Sequence, residues 1–133
     1  RHTGDLFLCD RHLRLAQKTA ARQADNGFWM EFEPNDPATG AVHPRFNSWN
    51  AEALLETYAL NKDPSLLAAA LRTARANVRL MKPNGAFDYV QNVSGVSGTA
   101  SPTGSATAFA GLLWLRLRAY GHREFDASIH AAA

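Results

Sequence analysis

The sequence predicts an all-α fold made of repeated α-hairpins, and three observations lead there. Asp5, Leu8, Leu13, Arg14, Ala16, Asn26 and Gly27 recur as Asp63, Leu66, Leu71, Arg72, Ala74, Asn84 and Gly85, an offset of 58 residues. Leu54-Leu55 recurs as Leu112-Leu113 at the same offset. A period of this length is the mark of a helical repeat array. Amphipathic segments alternate with segments that are apolar on every side, and tight connections alternate with long ones.

The first helix is expected over residues 5–24. Leu6, Cys9, Leu13, Ala16 and Ala20 advance by three and four along one face. Asp5 can cap its start, and Asn26-Gly27 marks its stop. The third helix, over 64–82, repeats that design. Asp63 is the N-cap candidate and Pro64 suits the first helical position. Leu67, Leu71, Ala74, Val78 and Met81 form its expected buried face, with Arg72, Arg75, Arg79 and Lys82 on the wet one.

Residues 48–60 and 105–120 carry little polar surface. In the latter, Ala106 to Leu117 is apolar almost all round. Such a helix belongs inside a ring of others, so amphipathic outer helices alternate with buried inner ones. A fifth helix is expected from Glu124. The units run approximately 5–60 and 63–120, with a third unit cut at 121–133. The chain thus reads as a single partial domain of a larger array, one expected to self-associate or to need the remainder of that array.

Leu60 to Pro64 and Tyr120 to Glu124 are tight turns. Residues 26–47 and 84–104 are long loops, which in small domains usually serve function. Both follow an outer helix and precede an inner one, so both should emerge on one face. Each opens on a short alternating run. If residues 27–33 are extended, Trp29, Glu31 and Glu33 share a side, matched at the offset by Phe87, Tyr89 and Gln91. Ser48 and Ser105 are the expected starts of the inner helices, with Asn47 or Ser48 as an N-cap. Residues 92–105, rich in Gly, Ser and Thr, offer backbone N–H groups to a ligand.

Composition narrows the function. A net charge of +2 is too small to imply nucleic acid, and most of the basic residues sit on two solvated helix faces. No apolar run is long enough to cross a bilayer. A single cysteine, Cys9, excludes an internal disulfide and reads as a buried core thiol. No targeting segment is visible and the compartment is unknown. Asn92-Val93-Ser94 fits the N-glycosylation pattern.

The stretches Asn26-Gly27-Phe28-Trp29, Ser48-Trp49-Asn50-Ala51-Glu52-Ala53-Leu54-Leu55 and Asn84-Gly85-Ala86-Phe87-Asp88-Tyr89, set between alternating inner and outer helices, resemble the (α/α) toroid, or six-hairpin, superfamily. That group holds glycoside hydrolases, polysaccharide lyases and sugar epimerases. The resemblance implies about six hairpins in a complete toroid, against little more than two in this chain. It also implies a sugar site at the N-terminal ends of the inner helices.

On the long-loop face, Glu31 and Asp88 are the candidate catalytic carboxylates, with Glu33 and Asp36 nearby, since two carboxylates can flank a glycosidic bond. Trp29, Trp49, Phe87 and Tyr89 offer faces for sugar rings, although Trp29 and Phe87 equally suit a core. His43 can move protons near neutral pH. Arg45 can grip a uronate carboxylate, as a lyase or uronate epimerase requires. Glu52 and Glu56, one turn apart, must bridge to arginines or face the funnel. Glu31, Glu33, Asn35 and Asp36 fit no EF-hand loop, and the histidines show no zinc spacing with Cys9. No metal or cofactor is expected, and the expected partner is a saccharide. Two other functions fit the fold: a non-enzymatic helical-repeat binding protein and a toroidal isoprenoid cyclase.

Overall fold

The computed structural model describes residues 6–95 and 101–133. Asp5, His2 and part of the Gly/Ser/Thr-rich loop lie outside these residues. The described chain is mostly helical, with one short two-stranded sheet. In order it runs α1 (Leu6–Ala21), β1 (Ala41–Val42), α2 (Pro44–Asn61), α3 (Pro64–Leu80), β2 (Gln91–Asn92), α4 (Gly104–Ala119), a 3-10 turn (Arg123–Phe125) and α5 (Asp126–Ala132). α2 is the hub, packing on α1, α3 and α4, while α5 packs on α4.

The core forms where these helices meet. Leu54 and Leu55 of α2, Leu66 of α3, and Leu113, Trp114 and Leu117 of α4 are buried with Phe28, Phe87 and Phe125. The Trp114 indole N–H donates to the Ala74 carbonyl at 3.1 Å, so this large ring is buried without an orphaned donor. Between α3 and α2, the Asn77 amide donates to Ser48 Oγ at 3.0 Å.

Local signals placed several boundaries. Asp63 accepts from the Ser65 N–H and Pro64 opens α3. After α1 and after α3 the Asn-Gly pair makes the same turn. Asn26 Oδ1 accepts from Phe28 N–H at 2.9 Å, and Asn84 Oδ1 from Ala86 N–H at 3.2 Å. Gly27 N–H donates to Ala24 O and Gly85 N–H to Lys82 O, both at 2.9 Å. The glycines sit at φ +91° and +79°, and each presses on a later helix. A Cβ on Gly27 would lie 2.7 Å from Arg72 O of α3, and one on Gly85 would lie 1.6 Å from Ala131 O of α5. α5 therefore stands to the second loop as α3 stands to the first.

Several expectations need correction. α2 begins at Pro44, four residues before Ser48, because a proline at the first position needs no N–H partner. Asn47 and Ser48 lie inside it, and the cap position is His43, whose side chain does no capping. α4 likewise starts at Gly104, ahead of Ser105. Residues 27–33 form turns and bends, not an extended run. Phe28, Trp29 and Met30 are all buried, while Glu31 and Glu33 are exposed. Trp29 has no strand partner. Its N–H donates to Asn47 Oδ1 at 2.7 Å, and its carbonyl accepts from Asn35 Nδ2 at 2.6 Å.

The expected helix faces are also displaced. On α3 the buried set is Leu66, Ala69, Ala70, Leu71, Thr73, Ala74, Ala76, Asn77 and Leu80, and Val78 is exposed. On α1 only Ala16 and Ala20 are buried, and Cys9 and Leu6 are exposed. α2 and α4 match in packing one residue beyond the sequence offset. Leu54 and Leu55 occupy the places of Leu113 and Trp114, and Leu112 faces outward with Leu115.

Candidate functional site

The two long loops are tied to each other. β1 and β2 pair antiparallel, with Ala41 opposite Asn92 and Val42 opposite Gln91. The Asn92 amide donates to Thr39 O at 2.8 Å, and Val93 N–H to Gly40 O at 2.9 Å. Asp36 holds the first loop's turn, accepting from Ala38 N–H and Thr39 Oγ, both at 2.8 Å. The Thr39 hydroxyl, then Ala38 N–H, holds its carboxyl below the usual aspartate range. Asn35 closes the approach to α2, its Oδ1 accepting from His43 N–H at 2.7 Å.

An aromatic shelf with one guanidinium sits where this small sheet delivers the chain to α2. His43 meets Tyr89 edge-on with ring centroids 4.6 Å apart, and lies 5.7 Å from Phe46. Phe46 meets Trp49 at 5.3 Å, and Trp49 meets Phe109 of α4 at 5.1 Å. Arg45 lies over three of these rings: 4.7 Å from the centroid of Phe46, 5.1 Å from Trp49 and 6.0 Å from Tyr89. Its Nη1 also reaches Ser105 Oγ at 3.3 Å, joining the starts of α2 and α4. Trp49 is 43% exposed and Tyr89 44%, so the shelf presents ring surface to solvent.

Two polar atoms of the shelf are buried without a hydrogen-bond partner among the described residues, His43 Nδ1 and Arg45 Nε. His43 is 3% exposed. Burial, and after it the positive charge of Arg45, lower the imidazole pKa below its ordinary value. At neutral pH it is therefore an uncharged ring able to accept a proton.

Four residues expected at the site thus come together: His43, Arg45, Trp49 and Tyr89. The others lie apart from the shelf contacts. Trp29 is 5% exposed, its indole N–H donates to Thr19 O at 2.6 Å, and it edges a hollow of about 190 Å³ with Arg22, Glu31, Phe32 and Asn50. Glu31 is exposed and held by Arg22 at 2.6 and 3.0 Å. Asp88 is fully buried and paired with Lys82. Phe87 is fully buried against Trp114. Glu52 and Glu56 bridge to Arg116 at 2.8 and 2.5 Å. Desolvation raises the Glu52 pKa against the opposing pull of Arg116.

Phe46 and Phe109 were not singled out from the sequence. The signal was present in the spacing of Phe46 and Trp49, which share a helix face only once the helix starts at Pro44. A wider groove of about 460 Å³, lined by Cys9, Leu13, Thr57 and Leu60, opens beside the short-turn end. It is the cleft between α1 and α2, also lined by Asp10, Asn61 and His12, whose Nε2 lies 3.2 Å from Thr57 Oγ1. No group of three metal-ligating side chains is found among the described residues. No described helix is long and apolar enough to cross a membrane. Comparison with protein-family models, curated proteins and solved structures finds no match for this chain.

Proposed function

We propose that this chain is part of a carbohydrate-active protein of the (α/α)-toroid type, with its saccharide site on the shelf of His43, Arg45, Trp49 and Tyr89. One observation carries this: two exposed aromatic rings and a guanidinium, from the first turns of α2 and from the second long loop, converge at the start of α2. Aromatic faces give apolar area to sugar C–H groups, and the guanidinium gives directed hydrogen bonds to hydroxyls or acids. The repeated Asn-Gly turn and the alternation of helices support the toroid assignment. If the protein is an enzyme, His43 is better placed for proton transfer than Glu31 or Asp88, because it stands in the shelf in its basic form.

The engagement of Glu31 with Arg22 and of Asp88 with Lys82 favours a second reading, a saccharide-binding repeat protein without catalysis. One experiment addresses both. Binding to a panel of oligosaccharides is measured by calorimetry for the parent, Trp49→Ala and Tyr89→Ala, and products are sought by chromatography. Each variant should lose about tenfold in affinity. Unchanged affinity in both folded variants would remove the shelf as the site. Product formation that survives Glu31→Gln and Asp88→Asn but not His43→Gln supports the enzyme with His43 as its proton carrier. Binding without products supports the second reading.

A further inference from the structure

Among the described arginines, Arg45 combines partial burial with the lack of a counter-charge; Arg11, Arg72 and Arg79 also lack a carboxylate partner but are exposed. Arg14, Arg22, Arg75, Arg116, Arg118 and Arg123 each pair with a carboxylate. Arg45 is half-buried, lies over three rings, and has no carboxylate within ion-pair distance among the described residues. Its only side-chain hydrogen bond there is the 3.3 Å contact to Ser105 Oγ. A half-desolvated cation without a partner is costly, and the rings return only part of that cost. The rings also fix the plane of the guanidinium, so its fork is oriented before any ligand arrives. Beside it, the buried His43 leaves Nδ1 without a partner.

Resting on the saccharide reading above, we propose that Arg45 selects sugars carrying a singly charged oxyanion, either a uronate carboxylate or a sulfate half-ester. The charge count sets the class. A single guanidinium balances one negative charge, and the neutral imidazole adds no second positive charge for a phosphate dianion. A planar fork suits two oxygens of one acidic group. With the acid on Arg45, the adjoining sugar ring falls over Trp49 or Tyr89, the exposed rings on which the guanidinium lies.

The test compares matched probes on the full chain by calorimetry. Oligogalacturonate, oligomannuronate and oligoglucuronate are each set against their uncharged methyl esters, and a sulfated oligosaccharide against its desulfated form. The acidic member of at least one pair should bind about ten- to a hundredfold tighter, the range of a charge-assisted hydrogen-bonded pair. Added salt should erode that preference and leave the uncharged member unaffected. In Arg45→Gln, checked for an unchanged unfolding transition, the acidic and uncharged members of the pair should bind equally. Preference within the uronate pairs names the carboxylate, and preference within the sulfated pair names the half-ester. Equal binding of charged and uncharged members would overturn the inference and leave the saccharide site standing. A preference that persists in Arg45→Gln would remove Arg45 from the role. Failure of every probe to bind would overturn both the inference and the site. Where Arg45→Gln does not fold, Arg45→Lys, which keeps the charge and loses the planar fork, should weaken the preference, and an unchanged preference would remove the fork from the role.

Discussion

The two long loops leave α1 and α3 through one and the same turn and then diverge, in polarity most of all at one pair of positions. In the first loop Ala24 and Met30 stand where the second has Lys82 and Asp88, at the offset of the Asn-Gly turns. Met30 is 6% exposed and Asp88 0%. The backbone bonds around them coincide: Ala24 N–H donates to Phe28 O at 2.9 Å, and Lys82 N–H to Ala86 O at 3.0 Å. One scaffold position thus accepts a thioether in one unit and an ion pair in the other. The backbone turn is set by the Asn side chain and by glycine at positive φ, independently of what fills the pocket beneath it. The polar filling needs partners of its own, and Lys82 is one of them for Asp88.

The largest expected effect comes from breaking that pair. Lys82→Ala removes the cation from a carboxylate with no exposed surface, and should destabilise the protein by about 3–5 kcal/mol. Lys82→Ala combined with Asp88→Met installs the first loop's filling in the second. It should recover most of the loss, since an apolar pair of suitable volume often equals or exceeds a buried ion pair. Chemical denaturation of the two variants checks this. A double variant as unstable as the single one would show that Asp88 has a role in the second loop that Met30 lacks in the first.

A smaller effect separates the two glycines. Each sits at positive φ, where alanine is strained by about 1–2 kcal/mol. Each also backs onto a carbonyl of a later helix. The approach is closer at Gly85, yet the helix it meets is α5, seven residues long. Gly27 meets α3, seventeen residues long and packed against α2. α5 can yield where α3 cannot. Gly27→Ala should therefore lower global stability by about 2–4 kcal/mol through strain plus overpacking. Gly85→Ala should lower it less while releasing the amides of α5 to hydrogen exchange. Equal losses with α5 still protected would contradict this division.

What the sequence disclosed divides along the range of the interactions. Asp63-Pro64 and both Asn-Gly turns were legible because each is settled within a few residues. The displaced face of α3 was not. Thr73 and Asn77 look polar, yet both are buried because partners far along the chain satisfy them: Thr73 donates to Gly27 O at 2.9 Å, and Asn77 to Ser48 Oγ. The apolar series through Val78 was the simpler reading, and it ignored those long-range acceptors. Ser48 outranked Pro44 as a helix start for a similar reason. Capping propensity is local, whereas Asn47 serves as a tether for Trp29 from inside the helix. The shelf was half legible. His43, Arg45, Trp49 and Tyr89 were expected, but grouping them apart from Trp29, Glu31 and Asp88 required knowing that 28–30 turn inward.

The smallest effect at neutral pH concerns the residues that head α2 and α4. His43 precedes α2 and Thr103 precedes α4, and neither side chain caps its helix. Only the first of these ends can titrate. Burial, then Arg45, depress the His43 pKa in the folded state below its ordinary 6.5. The unfolded chain therefore binds a proton at a pH where the folded chain does not. Stability rises with pH wherever the unfolded state holds more protons, so this group favours unfolding as pH falls from about 6.5 toward the depressed value. Above that window both states are neutral and the group contributes no slope. His43→Thr makes the first helix start like the second. At pH 8 the variant should report only the lost ring contacts with Phe46 and Tyr89. Below pH 6.5 its stability should fall less steeply with acid than the parent's, so the gap between the two should narrow. Denaturation midpoints measured from pH 8 to pH 5 supply the comparison. Parallel curves across that range would mean that His43 takes up its proton as readily folded as unfolded, and the shelf would then hold two positive charges rather than one.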